Sequence, residues 1–194
     1  MNTLNLIKVW DLPLRIFHWL LVAGFLIAYL TEEDLLIIHV WAGYLVLGLL
    51  IFRLIWGFLG NEYAKFSSFL VKPAQSFGYV KDLLAFKAKR YIGHNPAGAA
   101  MIVLLLISLV LTTLTGLTVY GADQAAGPLA GIGSDNEKLW EELHEFFANA
   151  TLALVFVHIA GVAFDSYLHH ENLAKAMVSG YKKLSKDTRE KVQK

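Results

Sequence analysis

The stretch HEFFANATLALVFVH, residues 144–158, carries a histidine at each end of an otherwise almost wholly apolar segment. On an α-helix its fourteen steps rise roughly 21 Å and turn through about 1400°, so the two end side chains point only about 40° apart. His144 and His158 therefore face the same way at two well-separated heights. What they hold depends on the rest of the chain.

The 194 residues are 56% hydrophobic and only 17% charged, with a mean hydropathy of +0.50. Soluble domains carry about 25% charged residues, and here the apolar residues come in long blocks. The chain reads as a membrane protein. It has no cysteine, which excludes disulfides, thiolate metal sites, iron–sulfur clusters and covalently attached c-type haem.

Four blocks reach the roughly 20 apolar residues needed to cross a bilayer: about 12–30, 36–59, 97–120 and 143–168. TEED (31–34) is a short polar turn, and GADQAAGPLAGIGSDNE (121–137) has the composition of a loop. No small-x-small cleavage site follows the first block, so it is expected to be a retained span rather than a secretory signal. The expected architecture is all-α: a single domain over residues 1–194, an integral membrane four-helix bundle.

Four spans place both termini and the 60–96 region on one side. That side has sixteen of the seventeen Lys and Arg residues, Lys138 being the exception. The excess of basic residues predicts cytoplasmic termini. Nine of the sixteen acids fall on the other side (Glu32, Glu33, Asp34, Asp123, Asp135, Glu137, Glu141, Glu142 and Glu145). An acidic outer face would attract a basic soluble partner, although it also follows from acids staying where the basic residues are not. The stretch 73–89, PAQSFGYVKDLLAFKAK, reads as a basic amphipathic helix on the cytoplasmic surface. The last twenty or so residues read as a solvated helix or a loose tail.

Ionisable groups inside a bilayer are costly and mark function. The direction of each span puts His18 and His158 at inner depth and His39 and His144 at outer depth, two imidazoles at each of two levels. A haem iron has two axial positions that imidazole nitrogens fill, and a flat apolar porphyrin fits between helices. The pairs His18–His158 and His39–His144 are therefore candidate axial ligands of two haems. Iron with both axial positions filled by protein passes electrons rather than activating oxygen.

Gly43, Gly116 and Gly161 are expected to let a macrocycle edge approach, although glycine also serves plain helix packing. Arg53 follows His39 by fourteen residues, so it shares that face at inner depth. Buried there it needs an anion, and a haem propionate is one. Arg15 is a second candidate for a propionate, or for lipid phosphates. His94, before the Asn95–Pro96 helix start, is a candidate for a supporting contact to a propionate or quinone. His169 and His170 are expected to be solvent-exposed and able to carry protons. A rival reading, a haem-free proton or metal transporter, uses the same histidines. The span interiors hold almost no carboxylate of the kind proton-coupled carriers need. A third reading, an anchor for a soluble enzyme, leaves the depth-matched histidines unexplained.

With these residues identified, the chain resembles the bacterial cytochrome b561 family, which includes the b-type cytochrome subunit of nickel–iron hydrogenases. The resemblance rests on WDLPLRIFHW (10–19), His39 with WAGY (41–44), Arg53 in IFRLIWG (51–57), GHNPAGA (93–99), the paired histidines of the last span and HHENLAKAMVSGYKK (169–183). It implies four helices, two haem b groups and electron exchange with quinone; some members oxidise superoxide. The implied partners are the lipid bilayer, a quinone, and a periplasmic c-type cytochrome or a hydrogenase subunit, with a homodimer compatible and no nucleic acid. The expected role is electron transfer, as a quinone-linked oxidoreductase or the membrane subunit of one. His169 and His170 stand where the family often has Arg before Glu-Asn, so a phosphate or propionate contact there is not expected.

Overall fold

The computed structural model describes residues 6–32 and 35–184. The elements are β1 (Leu6–Lys8), α1 (Leu12–Leu30), α2 (Leu36–Leu59), α3 (Pro73–Leu84), α4 (Pro96–Asp123), α5 (Glu137–Leu168), α6 (Leu173–Ser179) and β2 (Tyr181–Lys183), with 3-10 turns at Phe66–Ser68 and Ser134–Asn136. Helices α1, α2, α4 and α5 are long and apolar enough to cross a membrane. Their outer surfaces are apolar throughout: Ile37 is 75% exposed and Phe58 73%. Water would not tolerate such a surface, and hydrocarbon accepts it. The chain is an all-α membrane bundle.

The first two spans coincide with the sequence reading, and the last two are longer. Helices of 28 and 32 residues measure about 42 and 48 Å, more than the roughly 30 Å of a hydrocarbon core. A helix does not stop where apolarity does. Residues 137–145, EKLWEELHE, are mostly good helix formers, and the segment 121–137 is a loop only after Asp123.

The residues form two compact units. One comprises Phe17–Leu54 and Met101–His158. All four membrane helices contribute to its core: Phe25, Val46, Leu50 and Leu109 are buried, with Leu21, Tyr29, Leu106, Val110, Leu152 and Val155 packed against them. Hydroxyls join α4 to α5. Thr151 is completely buried, and its Oγ1 lies 2.7 Å from Ser108 Oγ and 3.2 Å from Thr112 Oγ1. Lipid offers no competing hydrogen bonds, so such pairs hold membrane helices together.

The other unit comprises the described residues up to Ile16, together with Ile55–Ala100 and those from Ile159 onward. Asp11 caps α1, its Oδ1 accepting from the Leu14 N–H at 2.9 Å and its Oδ2 from Trp56 Nε1 at 3.0 Å. Asn95 caps α4 through the Gly98 N–H at 2.7 Å, as its place before Pro96 predicts.

Much of the supposed tail is ordered structure, which corrects that expectation. Asn172 caps α6. β2 then pairs antiparallel with β1, Ile7 opposite Lys182. Gly180 ends α6 and leads into β2 at φ 87°, and a side chain there would come within 2.7 Å of the Trp10 carbonyl. Residues 185–194 of the expected tail lie outside the described residues, as do Glu33 and Asp34 of TEED.

The surface helix is also shorter than expected, ending at Leu84 rather than residue 89. Phe86 takes a left-handed φ of 56°. The Lys87 N–H then bonds back to the Asp82 carbonyl at 2.8 Å, closing the helix end.

Candidate functional site

His39 enters early on α2 and His144 early on α5. Their ring centres are 6.0 Å apart and the rings stand at 89°. Each Nδ1 is tied to a backbone carbonyl: His39 to Ala28 at 2.9 Å and His144 to Thr112 at 3.0 Å, with Thr115 Oγ1 a further 3.3 Å neighbour of the latter. A carbonyl only accepts, so both Nδ1 atoms carry the hydrogen and both Nε2 atoms keep a free lone pair. Metal-bound histidines are oriented in this way. Two imidazoles with free Nε2 lone pairs bordering one cleft are the kind of donor set a haem iron takes.

The two rings border a cleft lined by Val40, Gly43 and Tyr44 of α2 and by Leu109, Gly116 and Tyr120 of α4. Gly43 is open, with no atom within 4 Å of where a side chain would start. Gly161 is also open, but it lies in the other unit. Gly116 does something else. A side chain there would lie 2.7 Å from His144 Cε1, so this glycine makes room for the imidazole itself.

His18 and His158 lie in the same unit, within electrostatic reach of one another. His18 stands edge-on to Trp19, ring centres 5.0 Å apart. Its Nδ1 is buried without a hydrogen-bond partner among the described residues. Such an atom is costly unless something binds it. Arg53, also in this unit, is only 3% exposed.

Arg15 and His94 belong to the other unit. The His94 ring lies 4.6 Å from both Trp10 and Phe69. The Arg15 guanidinium packs over Gly180, and its Nε is buried with no partner among the described residues. His170 is exposed, but His169 is not: its side chain is largely buried, with Nε2 3.5 Å from Asp165 Oδ1. That corrects the expectation of a solvated pair. The capped helix α6 folds back directly after it.

The sequence reading missed the residues that orient His144. Their signal was present: Ser108, Thr112 and Thr115 recur at i, i+4 and i+7 on α4, and Thr151 is midway between the two histidines of α5. Among the described residues no group of three or more His, Asp or Glu side chains converges to hold a metal ion. A bare transition-metal ion takes about four such ligands, whereas a porphyrin supplies four nitrogens itself.

The family model of prokaryotic cytochrome b561 matches residues 9–180. Three relatives are each named as a probable Ni/Fe-hydrogenase B-type cytochrome subunit. The one from Azotobacter chroococcum mcd 1 is 26% identical, with 93% of this chain and 90% of the relative aligned. Those from Azotobacter vinelandii and Rhizobium leguminosarum bv. viciae are each 25% identical over the same shares. No solved structure matches the chain. The match spans both histidine levels, and the chain belongs to the prokaryotic cytochrome b561 family: it is a multi-pass membrane cytochrome of b type.

Proposed function

We propose that this cytochrome holds two haem b groups and passes electrons between quinone and a redox partner at the outer face of the bacterial cytoplasmic membrane. His39 and His144 hold one haem, and His18 and His158 the other. The observation that carries the reading is the His39–His144 pair, 6.0 Å between ring centres with both Nδ1 atoms bound to carbonyls. Bound haem supplies a one-electron iron couple. The histidine pairs would hold the iron, and the carbonyls of Ala28 and Thr112 fix the rings of His39 and His144.

Buried Arg53 offers a counter-charge to a propionate, and in their own unit Arg15 and His94 are candidates for polar contacts to an anion or a quinone. The relatives' names favour a hydrogenase subunit as partner, with a periplasmic c-type cytochrome the other candidate. Sixteen basic residues beside the termini and nine acids on the opposite side support cytoplasmic termini and a basic partner outside.

Haem content tests the reading directly. Purified protein should hold two low-spin b haems per chain, and His158→Ala should hold one. Protein without haem, or a His158→Ala variant that keeps both, overturns the proposal.

A further inference from the structure

Helix α3 is amphipathic, yet it packs the other way round from a helix in a soluble protein. Its buried residues are polar: Ser76 donates to the Pro96 carbonyl at 2.8 Å, and the Tyr79 hydroxyl to Asp165 Oδ1 at 3.0 Å. Its large apolar residues are turned out, Phe77 64% exposed and Leu84 68%, with Val80 between them.

At about 100° per residue, Phe77, Val80 and Leu84 share an arc of roughly 60°, directly opposite Gln75 and Asp82. The helix therefore has three faces. Ser76, Tyr79 and Leu83 meet protein, Gln75 and Asp82 form a polar face, and the Phe77 edge is exposed. The anchoring contacts fix the height. Pro96 begins a membrane-spanning helix and Asp165 lies in the last turn of another, so α3 sits at the level where hydrocarbon gives way to headgroups.

Charge identifies what covers the apolar edge. Lys72, Lys81, Lys87 and Lys89 surround it, all exposed, against the single acid Asp82. Lys81 Nζ lies 4.8 Å from the centre of the Phe77 ring, at the border between the apolar and polar faces. Phe86 continues the exposed edge while its ring meets Phe164 at 5.5 Å. An exposed apolar edge flanked by exposed ammonium groups matches acyl chains beneath anionic headgroups.

We propose that α3 is an interfacial helix that binds anionic lipid, its Phe77–Val80–Leu84 edge among acyl chains and Lys81, Lys87 and Lys89 on headgroup phosphates. The inference is independent of haem number and partner.

The test uses the full haem-loaded chain. It has no cysteine, so Gln75→Cys, Phe77→Cys and Leu84→Cys each take a single spin label. In phosphatidylcholine–phosphatidylglycerol nanodiscs, labels at 77 and 84 should collide with oxygen and be shielded from an aqueous nickel chelate. The label at 75 should show the reverse. Protein extracted from vesicles of equal composition should retain phosphatidylglycerol several-fold over phosphatidylcholine, and the Lys81→Gln, Lys87→Gln, Lys89→Gln triple variant should lose most of that enrichment. Labels at 77 and 84 open to the chelate, or hidden from both reagents beneath a protein partner or second copy, overturn the proposal. So does absent enrichment, or enrichment that survives in the triple variant. Haem absorbance, recorded on the same samples, reports separately on the proposed function.

Discussion

A single missing methyl group sets the position of one proposed ligand. Gly116 leaves the space that the His144 ring occupies, and added carbon would come within 2.7 Å of Cε1, closer than packed atoms allow. Gly116→Ala should therefore push the imidazole off its carbonyl partner and lower haem content from two per chain toward one. Gly48→Ala, where a side chain meets nothing within 4 Å, should keep both. Quantifying extracted haem against protein distinguishes the two variants. At this scale the sequence was half legible. The histidine positions follow from counting along helices, but the Thr112 carbonyl belongs to every residue type alike and leaves no mark in a sequence.

Among the elements, the docking of α3 and of the β1–β2 pair depends on buried polar groups. Burial foremost, and then the nearby Asp165 carboxylate, pushes the Tyr79 hydroxyl above the ordinary phenol value. The folded state then holds its proton more tightly than the unfolded state. This contribution is fully present below about pH 10, where free tyrosine ionises, and is lost as pH rises through the elevated folded value. A label at residue 75 should become mobile over that alkaline range. Tyr79→Phe should remove the alkaline step and cost about 1 kcal/mol of docking at neutral pH.

Glu171 binds both Arg90 and Lys182, the latter at 3.4 Å. Burial lowers the Lys182 pKa, and Glu171 opposes that shift. Glu171→Gln leaves two cations without their carboxylate and should cost roughly 3 kcal/mol. Limited proteolysis should then cut the C-terminal segment faster, and Lys182→Met in the same chain should recover part of the resistance. None of this was visible beforehand. A three-residue strand has no detectable period, and β1 and β2 stand some 170 residues apart in the chain.

For the whole molecule, charge asymmetry is the governing feature. Sixteen Lys and Arg residues with seven acids on one side give about +9, and one Lys with nine acids on the other gives −8. This distribution predicts a cytoplasmic C-terminus: a C-terminal green fluorescent protein fusion should fluoresce, and an alkaline phosphatase fusion there should be inactive. The opposite pattern would invert the placement of both histidine levels.

The sequence by itself determined the membrane class and the four spans, and it gave the expectation of two histidine levels. Those properties depend on how apolar a run is and how far a helix rises per residue, both of which are local. Only the tertiary structure decided that His39 and His144 face each other with Nδ1 turned to carbonyls, that hydroxyls join α4 to α5, and that β2 pairs with β1. Each of these needs groups distant in the chain to meet, and a partner's position is set by the packing of everything between.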